Sequence, residues 1–264
     1  MVTWRFVQAE IASFTRVCAY DRAGLGFSDV GQRPSDVANM ADDLSRLGGA
    51  TAVLYAATHP DDLAGVVLVE PAFAGDLHAL QAELPVGKRT AIAEAMERSL
   101  SYKRSCLALA EAGKLAQPAN EAERDCVDES YDPNRLDALL REAGSRLLAL
   151  PKVWQAMISE MASFVTESDA PDADTAELDA VTFSFGDKPL IVLSRGVEEG
   201  GPGVPPDALP RVEAAWRAGH AALATRSTRG EHVVVPGSRH YVQIDEPRAV
   251  IDAVRKAVTA VRGQ

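Results

Sequence analysis

The sequence predicts an α/β fold: a parallel sheet of about four strands with an all-helical insertion in the middle of the chain. Three observations carry this reading. Four short, nearly continuous apolar runs are bounded by turn residues, as strands covered on both faces of a parallel sheet should be. Helical patterns separate them, and strand-then-helix alternation marks an α/β sheet. From about residue 72 to residue 187, however, no convincing strand is found.

The first run is 16–20 (RVCAY), where Cys18 is expected to pack as a buried thiol. A helix opens at Pro34-Ser35-Asp36: Ser35 or Asp36 can cap it, and Val37, Met40, Ala41, Leu44 and Leu47 fall at helical spacing. A second helix covers 49–58, and the second run is 65–70 (GVVLVE). The middle region is rich in Ala, Leu, Glu and Arg. It shows helical periodicity over 81–109, 135–150 and 152–164, punctuated by Pro85, Pro118, Pro133, Pro151 and Pro171. Residues 166–179 (TESDAPDADTAELD) read as a solvated acidic loop, because their carboxylates lack the spacing and central glycine of a calcium loop. The third run, 189–194 (PLIVLS), leads into a loop over 196–210 that holds four Gly and four Pro ahead of a short helix. The fourth is 232–235 (HVVV). The last helix, 248–261, carries Val250, Ile251, Val254, Ala257 and Val261 on one face. There is no internal repeat. The organisation is thus an α/β core in two parts, 1–71 and 188–264, around a helical segment at 72–187.

A net charge of −11 and a pI near 5.0 argue against nucleic acid and anionic membrane as partners, since phosphate contacts need clustered Lys and Arg. No apolar run is long enough to span a bilayer. Residues 1–12 place Trp4, Arg5 and Glu10 where a signal peptide needs an apolar stretch, so a cytoplasmic location is expected for the chain as written. Cys106 and Cys126 flank a helical segment with a Gly and a Pro between them. Two readings stay open, a disulfide that suits an exported ancestor or two free thiols, because the pattern does not supply a Cα–Cα distance. His78, His220 and His232 have no ligand-type neighbours in the sequence, so no zinc motif emerges and no cofactor is expected. His59, before Pro60, reads as a helix-end residue.

Three stretches resemble the α/β-hydrolase superfamily, in its bacterial esterase-like form with a helical cap after the sixth strand. RVCAYDRAGLGFSD (16–29) resembles the fourth strand and its Gly-rich turn. GGATAVLYAATHPDDLAGVVLVEPAF (48–73) resembles the nucleophile helix and the sixth strand. HVVVPGSRHYVQIDEP (232–247) resembles the eighth strand and the histidine loop. TWRFVQAEIASF (3–14) is similar to the helix after the third strand; the first three strands, with the loop that donates an oxyanion amide, are expected to be missing.

The resemblance implies that His240 occupies the catalytic-base position, at the carboxyl edge of the sheet where open α/β folds place ligands. The acid is left between Glu70, at the end of the sixth strand, and Glu198 or Glu199, after the seventh; a buried strand-end carboxylate such as Glu70 needs a partner. The nucleophile is the difficulty. The family carries it in Gly-x-Ser-x-Gly on a sharp strand-to-helix turn. Here Leu47-Gly48-Gly49 retain the second part, Arg46 sits in the nucleophile's register, and Ser45 lies one position off with Asp43 two residues before it. No Gly-x-Ser-x-Gly occurs anywhere in the chain. The two helices between the first and second runs adjoin without room for a strand of about 5–6 residues and its connections. The central fifth strand is therefore expected to be absent. The flanking strands are expected to close up, with 35–58 as one right-handed crossover.

The expected protein is a truncated α/β-hydrolase, derived from a carboxylic-ester hydrolase and catalytically incomplete. Two alternatives stand beside it. One is an active esterase with a rebuilt site that uses Ser45, Ser28 or Ser238 beside His240. The other is a non-catalytic protein that binds a small apolar, ester-like molecule in a groove of Trp154, Met157, Met161 and Phe164, residues whose helical spacing equally fits core packing. The oligomeric state is left open.

Overall fold

A computed structural model describes residues 2–19, 21–31, 33–36, 38–40, 54–55, 58–88, 90–128, 138–164, 172–180, 184–201 and 203–263. Its sheet is parallel. β1 (Val66–Val69), β2 (Leu190–Arg195) and β3 (Gly230–Val235) lie side by side in that order, with Val66 opposite Leu190 and Leu190 opposite Gly230. Every residue of β2 is buried, which its apolar run LIVL requires of a central strand covered on both faces.

Ahead of β1 lies helix α1 (Arg5–Ala12). Between β1 and β2 come α2 (Asp76–Ala82), α3 (Ala91–Glu111), α4 (Glu121–Val127), α5 (Ala138–Leu148), α6 (Pro151–Phe164) and α7 (Ala173–Asp179), with no strand among the described residues. Helix α8 (Leu209–Ala224) joins β2 to β3, and the short α9 (Val242–Asp245) and long α10 (Pro247–Arg262) complete the chain. The two-residue period of β2 builds two cores. Ile191 and Leu193 meet Val7 and Ile11 of α1 and Val250, Ile251 and Ala257 of α10. Leu190 and Val192 meet Leu223 and Ala224 of α8, together with Phe185. Each buried Val, Leu, Ile or Phe among them contributes roughly 1.5–3 kcal/mol on burial.

Several expectations are corrected. The sheet has three strands among the described residues, not about four. Residues 16–19 form no strand and pair with none among the described residues, and Tyr20 lies outside them. Exposure alternates there: Val17 packs against the first core beside Val67 and Val69, while Arg16 and Cys18 face outward. A segment with one apolar face lies on a core rather than inside a doubly covered sheet. For the same reason Cys18 is an exposed free thiol, not a buried one. The acidic stretch is not all loop. Asp172 caps α7 by accepting from Thr175 N–H at 2.8 Å, and Asp174 and Thr175 are buried. Pro85 divides the 81–109 pattern between α2 and α3, α8 is a full 16 residues, and Val261 is exposed. The cap role of Asp36 is seen: its Oδ1 accepts from Asn39 N–H at 2.8 Å. No helix among the described residues is long and apolar enough to cross a membrane.

Cys106 of α3 and Cys126 of α4 form a disulfide, with Cα atoms 5.6 Å apart. Both half-cystines are buried in a cluster with Ala110, Leu115 and Trp154, and Met157 packs against it. Trp154 donates its indole N–H to Leu148 O at 2.6 Å. Trp154 and Met157 are thus core residues, and the side chain of Phe164 lies outside the described residues. The bridge closes a segment of 20 residues, for which chain entropy gives about 3 kcal/mol. A Cys106→Ala/Cys126→Ala variant is expected to lose about that much stability in urea unfolding, and reductant should destabilise only the parent.

Candidate functional site

Strand β1 runs directly into Glu70, which adopts φ +50°, a left-handed conformation otherwise taken only by glycines among the described residues. Pro71 follows, and a residue before proline prefers extended backbone. The turn is therefore strained and must be held by its contacts. Those contacts belong to a buried carboxylate. Glu70 Oε1 accepts from the backbone N–H of Arg195 at 2.6 Å. Oε2 accepts from Arg195 Nη1 at 2.9 Å and from the Trp216 indole N–H at 3.2 Å.

Arg195 ends β2. Its guanidinium bridges Glu70 and Glu213, with Nη2 2.9 Å from Glu213 Oε1, and it lies 5.2 Å from the centre of the Trp216 ring. Glu213 also accepts from Gly200 N–H at 2.8 Å. Glu213, Trp216, Arg217 and His220 recur at three- and four-residue steps along α8, so one stripe of that helix faces the carboxyl ends of the strands. Burial raises the pKa of Glu70, but the hydrogen bond from His240, the Arg195 amide and the Arg195 charge outweigh it and hold the carboxyl below the usual range. For Arg195, burial lowers the pKa, and the hydrogen bonds and charges of Glu213 and Glu70 more than restore it. Both groups are ionised at neutral pH.

His240 reaches this cluster from the loop between β3 and α9. Its backbone N–H donates to Glu199 Oε2 at 2.9 Å, and the adjacent Arg239 pairs with Asp245 at 3.2 Å. The ring is half exposed, lies edge-on to Tyr241, and places Nδ1 3.3 Å from Glu70 Oε2. An ionised carboxylate only accepts, so the proton sits on Nδ1 and Nε2 of the neutral ring is free to take one. Of the acid candidates, Glu70 meets the ring, Glu199 anchors the backbone, and Glu198 lies 3.9 Å from Arg217.

The hydroxyl candidates do not join them. Ser28 donates to Asp21 O at 2.5 Å, and Ser238 is fully buried and donates to Arg239 O at 2.7 Å. Ser45, with Arg46, lies outside the described residues. Among the described residues, Glu70 is the hydrogen-bond partner of the His240 ring. His59 stacks on Tyr55 at 4.5 Å, as a helix-end residue can.

Sequence reasoning overlooked a second group. His220 and His232, expected to stand alone, both contact Ser194: Oγ is 2.5 Å from His220 Nδ1 and 2.7 Å from His232 Nε2. His220 Nε2 is 2.7 Å from Pro71 O. The signal was present in two polar residues, Ser194 and Arg195, at the end of an otherwise apolar strand, and in the polar stripe of α8. Gly219 belongs to the same construction. The Phe73 ring lies against it, where an added Cβ would come within 2.1 Å of the ring, and packs edge-on to His220.

Replacing Arg195 with Met should cost about 3–5 kcal/mol at pH 7, because two carboxylates are left buried without their counter-charge. The loss, read by chemical denaturation, should shrink as acid protonates them. A separate titration is expected at Asp76, the first residue of α2. Burial raises its pKa to about 6, opposed by the amides of Leu77 and Phe73 and reinforced by Asp172 and Asp174. The folded protein therefore holds a proton that the unfolded chain releases between about 4 and about 6, and stability falls as pH rises through that window. Asp76→Asn should raise the melting temperature at pH 8 and leave it unchanged at pH 4.

No protein-family model matches the chain, and no curated protein sequence matches it. Solved structures do. A haloalkane dehalogenase loop variant from Bradyrhizobium elkanii shares 16% identity at a TM-score of 0.60, over 99% of this chain and 86% of that one. A thermophilic esterase from Thermogutta terrifontis shares 20% at 0.55, over 98% and 85%. The epoxide hydrolase CorEH shares 17% at 0.60, over 98% and 87%. Likeness at these identities speaks of architecture, and what it establishes, across essentially the whole chain, is the α/β-hydrolase fold.

Proposed function

We propose that this chain is a catalytically incomplete member of the α/β-hydrolase fold, descended from a carboxylic-ester hydrolase. One observation carries the reading: His240 is oriented by the buried Glu70 carboxylate, yet no hydroxyl among the described residues hydrogen-bonds its ring. An acid–histidine pair accelerates acyl transfer by taking the proton of a nucleophile held against it. The chain contains no Gly-x-Ser-x-Gly to supply that nucleophile. Glu70 and His240 are then the surviving acid and base of an ancestral site, and Glu198 stands outside it. The helical segment 72–187 is the cap, and 1–71 with 188–264 form the core. A small apolar, ester-like molecule is the class of ligand such a remnant would keep. The Cys106–Cys126 bridge supports an oxidising compartment for the protein or its ancestor.

Hydrolysis of p-nitrophenyl esters and labelling by a fluorophosphonate test this. The purified protein is expected to show no saturable turnover and no labelled serine, and His240→Gln should match the parent. Saturable turnover abolished both by the fluorophosphonate and by His240→Gln would overturn the proposal.

A further inference from the structure

We infer that Ser194, His220 and His232 form a proton relay that carries a proton from the partly exposed face of β3 to the buried flank of Glu70. The inference goes beyond the incomplete-hydrolase reading and does not depend on it. It follows from which atoms can donate. Pro71 O only accepts, so the His220 Nε2 facing it bears a hydrogen. In the neutral ring Nδ1 is then bare, and the atom 2.5 Å away, Ser194 Oγ, must donate to it. That uses the only hydrogen of the hydroxyl. The 2.7 Å contact between Ser194 Oγ and His232 Nε2 must therefore be a donation from His232. The proton order is fixed: His232 Nε2–H to Ser194, Ser194 O–H to His220, His220 Nε2–H to Pro71 O.

Such a chain can run in one concerted step. His220 and Ser194 are fully buried, whereas His232 is partly exposed and its Nδ1 has no hydrogen-bond partner among the described residues. A proton arriving on that Nδ1 makes His232 an imidazolium. Its Nε2 hydrogen passes to Ser194 Oγ as the Ser194 hydrogen passes to His220 Nδ1. Afterwards His232 is neutral with its hydrogen on Nδ1, Ser194 again bears one hydrogen, and His220 carries both. One positive charge has moved inward and no heavy-atom bond has changed.

The inward position is favoured by the Pro71 carbonyl, 2.7 Å from His220 Nε2, and by Glu70, whose Oε1 lies 3.9 Å from His220 Nδ1. His232 and then Arg195, at the end of β2, oppose charge on His220, and Arg217 of α8 opposes it on His232. Glu213 of α8 is occupied by Arg195 and lies 3.8 Å from Arg217. Burial pushes both histidines below their ordinary value, so the relay loads on the acid side of neutrality. Both rings cannot be charged together. Ser194 Oγ would then face two N–H donors, and its own hydrogen would have no acceptor. Once loaded, Glu70 is shared between His220 on one oxygen and His240 on the other, so acid loosens its hold on His240.

Nitrogen NMR of the full chain with labelled histidine tests this, because ring shifts report the tautomer. At pH 8 both His220 and His232 are expected as neutral Nε2–H rings. Acidification should charge His220 while His232 switches to Nδ1–H. In Ser194→Ala the link to His220 is cut, so on acidification His232 should itself become the imidazolium instead of switching to Nδ1–H, still held low by burial and Arg217. In His232→Leu, a change at a partly exposed position that keeps the fold if Ser194→Ala does not, the hydroxyl loses its alternative acceptor, and His220 should resist protonation by about one further pH unit. An Nδ1–H tautomer of either ring at pH 8, or titrations unmoved in whichever variant folds, overturns the relay.

Discussion

A single guanidinium fixed between two buried carboxylates is the constraint on which the rest of this structure depends. Arg195 ties the end of β1, through Glu70, and the loop after β2, through Gly200, to Glu213 on α8. Burying three charges is expensive, and hydrophobic residues of the same volume would often be as stable. What the ions add is direction. Glu70 is turned into a strained conformation and aimed at the loop that carries His240, and the Trp216 ring closes over the guanidinium. The same stripe of α8 delivers His220 to the Pro71 carbonyl, one residue beyond the carboxylate. Both the Glu70–His240 pair and the buried hydroxyl–imidazole chain are consequences of how this ion cluster docks the helix.

The sequence made the sheet legible where the strands are covered on both faces. LIVL reads as a central strand because nothing polar interrupts it, and VVLV reads the same way. It misled at residues 16–19, where a run of similar composition has only one face against the core. Composition does not distinguish one covered face from two; alternation does, and Arg16 and Cys18 were its trace. The acidic 172–179 stretch misled for the opposite reason. A short capped helix with two inward polar residues is hidden by the charge of its neighbours.

Within the candidate site, His240 and Glu70 were legible because each sits at a strand end whose neighbours resemble a known pattern. The residues that organise them were not. Arg195, Glu213, Ser194 and His220 come from β2 and α8, and their partners lie as far as 125 and 149 residues away along the chain. Pairings at that separation are set by how the helix docks on the sheet. What the sequence did hold was the anomaly itself: polar side chains at the buried end of an apolar strand and along one stripe of a helix. Such groups need partners even before the partners can be named.

The disulfide joins α3 and α4, two of the helices between β1 and β2, and among the described residues it does not touch the sheet. The ion cluster joins strands to α8 and nowhere touches that bridge. Two regions of the molecule are thus fastened by unrelated chemistries: thiol oxidation secures one, and charge neutralisation the other. A reducing environment and an acidic one would loosen different regions, and a protease acting under each would leave different fragments.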